Sequence, residues 1–334
     1  MTNGNKDKVE QKVDGRKLRR GIRGRYSRKS IEEVDTYERY AMLLMAIMEA
    51  LEIPVYRYPK SNHVYSYRQK IAMLVLRQRL NLSYDQFNTD ASAYKGFLRA
   101  IGIGHIPHGS TLCRFAQCVN HGDLERIIIA FSMFCGKKCI LAADCTGFSN
   151  FIRSAHFVKR CKQLGLKKEP RSFTKASFVA DVDTLLIVSA RASADRKADI
   201  RFMPGHIADL KGLDASYVVA DKGYDCEGLH LKVRSDLKCR LVSPCRESRG
   251  NRGFSTHGRY RNQMKEQLVE GSELKAIYDR RPLIETVNFM VKAHAGSHVL
   301  SKSNSTKTAQ TLCKAIVHNC KLVVERRYHL SDEE

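Results

Sequence analysis

The hydrophobic pattern changes near Gly136, and this change constrains the fold more than any other feature of the sequence. Before it, apolar residues recur at helical spacing between polar caps; after it, apolar runs of strand length alternate with helical segments. We therefore predict an α/β fold of the mixed α+β kind, in which helices flank a mixed sheet. The predicted strands are residues 138–143, 172–180, 184–190, 216–220 and 240–242, and the predicted helices include residues 67–80, 92–101, 195–210, 225–237 and 273–291.

Three units follow from this pattern and from the distribution of charge. Residues 1–30 hold 11 Lys and Arg against 3 acidic residues, which predicts a disordered basic arm that binds phosphates, with a solubilising tail as the alternative. Residues 31–135 are all-helical and fit a DNA-binding region of the helix-turn-helix kind or an ordinary helical subdomain equally well. In the first interpretation Arg114 contacts DNA. Residues 136–334 form the sheet-containing domain, with a basic insertion near 244–272.

The charge of the whole chain points to a polyanionic partner. It carries 58 Lys and Arg against 35 Asp and Glu, a net charge of +23. Such a surface attracts nucleic acid, because binding releases the counterions of the phosphates. Residues 151–175 and 246–265 add eight and six Lys or Arg against one Glu each. We interpret both as nucleic-acid contacts rather than solvated surface, and the second as a mobile loop that folds onto DNA.

Several other classes of protein are disfavoured. The longest unbroken apolar run, residues 41–48, has 8 residues, whereas a transmembrane helix needs about 20. No secretory signal opens the chain, so we expect a cytoplasmic protein without a membrane partner. The 11 cysteines include no Cys-x-x-Cys pair, which favours reduced, mostly buried thiols over a zinc site.

Two predicted strands each lead into an aspartate followed by small residues, in the sequences Asp144-Cys-Thr-Gly and Asp221-Lys-Gly-Tyr. If the strands are neighbours, both carboxylates project from the same edge of the sheet. Hard divalent cations such as Mg²⁺ prefer oxygen ligands, and clustered carboxylates repel one another unless a cation lies between them. Each aspartate taken alone is better explained as the cap of a turn.

A third motif has the spacing Tyr-x2-Arg-x3-Glu-x6-Lys and consists of Tyr278, Arg281, Glu285 and Lys292. At about 100° per residue, Glu285, Asn288 and Lys292 share one face of roughly 60° on a helix. A carboxylate one turn into a helix, with cations before and after it, fits a metal ligand flanked by phosphate contacts. The alternative is an ordinary amphipathic helix with an Arg281–Glu285 ion pair.

This spacing resembles the Tyr-Arg-Glu-Lys signature of the DDE transposases of prokaryotic insertion sequences, and the two aspartate motifs precede it in the order that the family has. The resemblance covers about residues 138–325. The helical region before it is similar, more loosely, to the DNA-binding region of the family. Cys145 departs from the pattern, since the family more often has a small polar residue beside the first aspartate.

The resemblance implies an RNase H-like catalytic domain in which Asp144, Asp221 and Glu285 are catalytic and bind two Mg²⁺ or Mn²⁺ ions. Such a pair of ions can activate water or a 3′-hydroxyl and stabilise the leaving oxygen in a displacement at phosphorus. The implied DNA contacts are Tyr278, Arg281 and Lys292, which would bind the backbone at the element end; to these we add Asn288, from the helix face alone.

The predicted function is therefore DNA transposition, with double-stranded DNA as the partner: the terminal inverted repeats of the element and the target DNA. A synaptic complex implies a homodimer or larger assembly, in a nucleoid-associated cytoplasmic protein. Two alternatives stay open. A catalytically silent DNA-binding protein derived from a transposase would have no need of three mutually repelling carboxylates near DNA. An RNase H-like nuclease without strand transfer would leave the helical region and the basic arm unexplained.

Overall fold

The computed structural model describes residues 35–57, 60, 63–150, 159–160, 163–165, 173–195, 197–246 and 258–325. The predicted basic arm, residues 1–30, lies outside the described residues. So do most of the basic cluster at 151–175 and the part of the basic insertion that spans residues 247–257.

Between residues 36 and 135, the described elements are helical, as the periodicity predicts. The described helices there are α1 (Thr36–Ala50), α2 (Tyr67–Leu80), α3 (Tyr84–Asp90), α4 (Lys95–Ala100), α5 (Gly109–Cys118) and α6 (His121–Ala130). Ser66 and Ser83 begin α2 and α3 with capping boxes, which satisfy backbone N–H groups that have no partner within the helix. The prediction for residues 67–80 is confirmed. The helix predicted at 92–101 is shorter, because a single 3₁₀ turn, Ala91–Ala93, precedes it.

A mixed sheet of five strands forms the described centre of the second half of the chain. The strands are β1 (Cys139–Ser149), β2 (Phe173–Asp181), β3 (Ile187–Ser193), β4 (Ala215–Ala220) and β5 (Arg240–Val242). Their order is β3-β2-β1-β4-β5, with β1, β2 and β3 antiparallel and with β4 and β5 added in parallel. Helices flank this sheet, so the predicted mixed α+β fold is confirmed.

The prediction that the first strand ends at Asp144 is wrong. β1 loses its pairing with β4 after Ala143 but continues along β2 as far as Ser149. The apolar run ends at Ala143, where β1 stops pairing with a strand on each side and keeps only β2 as a neighbour. The backbone stays extended, because β2 still supplies a full ladder of hydrogen bonds.

The described helices of the second half are α7 (Met203–Asp209), α8 (Glu227–Leu237), α9 (Arg259–Gln267), α10 (Glu273–Tyr278), α11 (Leu283–Ala295) and α12 (Asn304–Glu325). The single helix predicted at 273–291 is in fact α10 and α11, because Pro282 lacks a backbone N–H and occupies the N-cap of α11. The helix predicted at 195–210 is a 3₁₀ turn, Asp199–Phe202, followed by α7.

One hydrophobic cluster joins the helical region to the sheet. It includes Leu44 of α1, Ile71 of α2, Phe178 of β2, Val287 of α11 and Ile316 of α12. The long α12 packs against helices of the N-terminal region, against α11 and against β3. Among the described residues, the boundary predicted at residue 135 therefore separates an all-helical part from a part that combines strands and helices, and one hydrophobic core spans both. A second cluster covers the opposite face of the sheet, under α7 and α8.

Two expectations about the class of protein bear on the described residues. No helix among them is both long and apolar enough to cross a bilayer. Of the ten described cysteines, four are half-buried, two are exposed and four are buried, namely Cys139, Cys239, Cys313 and Cys320, so the expectation that most are buried holds for fewer than half of them.

Candidate active site

The two aspartates lie side by side because of the register of the sheet. β1 and β4 pair in parallel as far as Ala143 and Ala220, so Asp144 and Asp221 are the next residue of each strand. Asp144 stays within β1, opposite Phe178 of β2. Asp221 leaves the sheet, and its Oδ1 accepts a hydrogen bond of 2.8 Å from the N–H of Gly223. The strands are thus neighbours, which was the condition for both carboxylates to share one edge.

Helix α11 is fixed to this edge by an amide. The Nδ2 of Asn288 donates a hydrogen bond of 3.0 Å to Oδ2 of Asp144. Asn288 is only 7% exposed, and its Oδ1 is buried without a hydrogen-bond partner. The side chain that we predicted to contact DNA therefore faces the first aspartate, and it leaves one buried acceptor available beside it.

Glu285 lies in the first turn of α11 and remains accessible. Its side chain is 59% exposed, and its Oε1 accepts a hydrogen bond of 2.6 Å from Nη2 of Arg281. The ion pair that we considered as the alternative to a metal site is thus present. Arg281 lies in the turn between α10 and α11, and Tyr278 is the last residue of α10.

The electrostatics of the edge connect these groups. Burial raises the pKa of Asp144, the nearby Asp221 carboxylate raises it further, and the Arg281 guanidinium acts in the opposite direction. Burial also raises the pKa of Tyr278, while the Arg281 charge lowers it and the Asp221 charge raises it. Asp144, Asp221, Tyr278, Arg281 and Glu285 therefore form one electrostatically coupled group, in which a desolvated carboxylate lies next to a second one.

The donor set of this group fits a divalent cation. Among the described residues, no three His, Cys, Asp or Glu side chains are arranged closely enough to hold a metal ion, and Glu285 is paired with Arg281 instead. Even so, Asp144 and Asp221 supply hard oxygen donors at one edge, and the unpartnered Oδ1 of Asn288 is a further oxygen beside them. Burial is the main cause of the raised pKa of Asp144, and a cation would offset both this cost of the charged form and the smaller repulsion from Asp221.

Lys292 and Arg114, the remaining predicted DNA contacts, lie on different elements. The Nζ of Lys292 is 5.8 Å from the ring centroid of Phe148 on β1, and the side chain is half-buried. Arg114 is exposed on α5, in the helical region. Lys292 therefore belongs to the edge of the sheet, whereas Arg114 belongs to a separate surface.

The residues that anchor the C-terminal end of α11 are not among those predicted from the sequence. Lys314 of α12 is fully buried, and its Nζ donates to the backbone carbonyls of Ala295 and Gly296, the second at 2.7 Å. Gln78 of α2 also donates to the carbonyl of Ala295. These bonds satisfy carbonyl groups that the end of a helix leaves free. A lysine within residues 304–325 gives no local sign of burial, since the surrounding pattern mixes polar and apolar residues.

Comparisons with known proteins identify one family that matches the chain. The family described as "Transposase DDE domain" matches residues 138–320, more than half of the chain, and the match includes Asp144, Asp221 and Glu285. No curated protein matches the sequence. Among solved structures, the chain is similar to a cryo-EM structure of a piggyBac transposase synaptic complex with hairpin DNA. That match has a TM-score of 0.44 and 11% sequence identity, and it covers 98% of this chain and 78% of the other.

Proposed function

The chain belongs to the family of transposases with a DDE domain, and from this premise we propose that it cleaves double-stranded DNA at the ends of its element and joins them to target DNA. The observation that carries the proposal is the placement of Asp144 and Asp221 at one edge of the sheet, with Asn288 of α11 bonded to Asp144. A DNA-binding protein without catalysis gains nothing from a desolvated carboxylate beside a second one.

Asp144, Asp221 and Glu285 are the proposed catalytic residues and the ligands of Mg²⁺ or Mn²⁺, with two ions in each site. Bound ions of this kind supply charge stabilisation at the reacting phosphate. The protein contributes the arrangement: Asn288 fixes the orientation of the Asp144 carboxylate, and Gly223 fixes that of Asp221. Asn288 is thus a positioning residue rather than a contact to the DNA backbone.

Arg281 links DNA binding to the completion of this site. Its guanidinium is paired with Glu285, and a backbone phosphate competes for the same donors because Arg binds phosphate bidentately. Transfer of Arg281 to a phosphate frees Glu285 to turn toward the aspartates. Tyr278, whose pKa is affected by Asp221 and Arg281, and Lys292, beside Phe148 of β1, complete the proposed backbone contacts at the element end.

The recognition of specific ends is assigned to the helical region. Arg114 is exposed there on α5, which is followed closely by α6. The first helix of a helix-turn-helix pair crosses the DNA backbone, so Arg114 is the proposed phosphate contact of this region. The net charge of +23 supports binding of a polyanion over a large surface. Bringing two ends together calls for a homodimer in the synaptic complex.

Cleavage of a DNA duplex that carries the sequences flanking this gene tests the proposal. Wild type is expected to nick the element end in Mg²⁺ and not in EDTA, whereas Glu285→Ala is expected to lose at least about 1,000-fold in rate while still binding the DNA. Glu285 is exposed, so its loss is expected to leave the fold intact. Glu273→Ala is a matched control, because Glu273 is also an exposed residue in the first turn of a neighbouring helix.

The outcomes separate the three functions. Equal cleavage by wild type and Glu285→Ala would contradict the assignment of the site. Binding of the ends without cleavage in Mg²⁺ or Mn²⁺ would favour the silent DNA-binding protein. Cleavage without any joined product would favour the nuclease.

A further inference from the structure

A side-chain hydrogen bond connects the two aspartate motifs on the face of the sheet that α7 and α8 cover. The hydroxyl of Tyr224 lies 3.5 Å from the Sγ of Cys145. Cys145 directly follows Asp144 in β1, and Tyr224 is the third residue after Asp221. One contact therefore joins the two short segments that carry the proposed metal ligands.

Tyr224 holds the turn that follows Asp221. Its side chain is fully buried in the hydrophobic cluster under α7 and α8, whereas Lys222 and Gly223 before it are exposed. The N–H of Tyr224 also donates to the carbonyl of Asp221, at 3.1 Å. Because Asp221 has left the sheet, its position depends on where the ring and the hydroxyl of Tyr224 are held.

A chain of hydrogen bonds orients the thiol of Cys145 from the other side. Ser189 donates to Oδ2 of Asp209 at 2.6 Å, so its oxygen is left to accept from Nδ1 of His206, at 2.7 Å. Burial lowers the pKa of His206 to about 3, so the neutral ring has Nε2 as an acceptor, and Ser177 donates to it at 2.9 Å. The oxygen of Ser177 is then left to accept from the thiol of Cys145, which lies opposite it in the ladder of β1 and β2.

The hydroxyl of Tyr224 is therefore the donor to the sulfur. Burial raises the pKa of Tyr224, so the phenol keeps its proton, and the S–H of Cys145 is already directed at Ser177. A phenol is also a stronger donor than a thiol. A buried hydroxyl without a partner is unfavourable, so this bond favours one position of the Tyr224 ring over all others.

We propose that Tyr224 and Cys145 are a positioning pair: their bond sets the separation of the two aspartate carboxylates. The inference rests on the proposed function and adds a support behind the metal ligands themselves. It also accounts for the departure of Cys145 from the family pattern, because a thiol, like a small hydroxyl group, can accept from a phenol and donate to Ser177. Carboxylates that are held apart at one distance need less ordering when a cation binds.

Binding of Mn²⁺ to the full chain tests the pair without relying on catalysis. Free Mn²⁺ is measured from its EPR signal, in the presence of a duplex that already ends at the cleavage site. Four variants are compared with wild type: Tyr224→Phe, Cys145→Ala, the double variant with both changes, and Cys145→Ser. Tyr67→Phe is the matched control, because Tyr67 is also a buried tyrosine and its hydroxyl donates to Asp123 in the helical region.

Tyr224→Phe and Cys145→Ala are each expected to weaken Mn²⁺ binding by about 10-fold. This is the lower end of the effect of losing a support for a metal ligand, because the pair acts through the chain rather than on the carboxylates. The double variant is expected to bind no more weakly than either single variant, since both changes remove the same bond. Cys145→Ser is expected to match wild type, because its hydroxyl accepts from Tyr224. Tyr67→Phe is expected to lower Tm and to leave Mn²⁺ binding unchanged.

Three results would overturn the inference. Wild-type affinity in Tyr224→Phe or in Cys145→Ala would show that the bond does not position the carboxylates. Losses that add in the double variant would show that the two side chains act separately. Binding by Cys145→Ser that is as weak as that by Cys145→Ala would show that a hydroxyl cannot replace the sulfur as the acceptor.

Failure of the proposed function gives a different result. If Asp144→Asn binds Mn²⁺ as tightly as wild type, the cation site is wrong, whatever the variants of Tyr224 and Cys145 do. If Asp144→Asn loses Mn²⁺ binding while Tyr224→Phe and Cys145→Ala keep it, the cation site stands and only the positioning pair is wrong.

Discussion

Replacing Asp144 with asparagine is expected to stop DNA cleavage and, at the same time, to make the metal-free protein more stable at neutral pH. Cleavage should fall by at least about 1,000-fold, because a proposed ligand of the cation is lost. Stability should rise because burial and the neighbouring Asp221 raise the pKa of Asp144, so its charged form is unfavourable in the folded protein. The amide keeps the shape of the side chain and an oxygen that accepts the hydrogen bond from Asn288.

The difference in stability between Asp144→Asn and wild type is expected to depend on pH. A carboxyl whose pKa is raised by folding stabilises the protein fully below its ordinary value of 3.8, and this contribution is lost as the pH rises through the folded-state pKa. The increase in Tm of Asp144→Asn over wild type should thus be present at pH 7 and disappear in acid. Asp195→Asn, at an exposed residue after β3, is the control. A lower Tm for Asp144→Asn at pH 7 in EDTA would contradict the account.

Replacing Lys314 with methionine is expected to change how the free energy of unfolding depends on pH. Burial lowers the pKa of Lys314 to about 7 from its ordinary 10.5, and the nearby Arg77 charge acts in the same direction. Between these values the unfolded chain binds a proton that the folded protein has released. The stability of wild type should therefore rise with pH, by about 2 kcal/mol between pH 7 and pH 9, through this group alone.

Urea unfolding at the two pH values measures this contribution as the difference between wild type and Lys314→Met. Subtracting the variant removes the contribution of other groups near Lys314 whose pKa is shifted by burial, such as His294 and Cys313. Lys302→Met, at an exposed lysine before α12, should show the same pH dependence as wild type. A difference between wild type and Lys314→Met that stays constant from pH 7 to pH 9 would show that Lys314 remains charged in the folded protein.

The sheet edge could be predicted from the sequence because local signals and topology agree there. Apolar runs mark β1 and β4, each leads into an aspartate, and parallel pairing of neighbouring strands then brings Asp144 and Asp221 together. The face of α11 could be predicted in the same way, since Pro282 fixes where the helix begins. These features depend on short stretches of chain.

The burial of α12 could not be predicted, because it depends on contacts with elements that are distant in the sequence. Lys314, His318 and Asn319 are buried there, although such side chains usually indicate a surface. Asn319 shows the reason: it bonds both the N–H and the carbonyl of Ile187 in β3, at 2.9 and 2.7 Å, and so replaces a neighbouring strand. Polar residues that serve the backbone of a distant element disrupt the apolar pattern from which a helix is predicted.

The same limit applies to the contacts within the site. Spacing placed Asn288 on the face of Glu285 and suggested a DNA contact, but only the packing of α11 against β1 shows that its amide meets Asp144. The Arg281–Glu285 pair was considered as an alternative to a metal site. In the structure it is compatible with one, because Glu285 is exposed and able to exchange its partner.

The most direct test of the proposed cation site is to supply Fe²⁺ in place of Mg²⁺ and to map where hydroxyl radicals cut the full-length protein bound to a duplex end. We expect backbone cuts near residues 144 and 221, a further cut near residue 285 that depends on DNA, and suppression of all three by excess Mg²⁺. Asp144→Asn should lose them. Cuts that fall elsewhere, or that persist unchanged in Asp144→Asn, would contradict the assignment of a cation site to these three carboxylates.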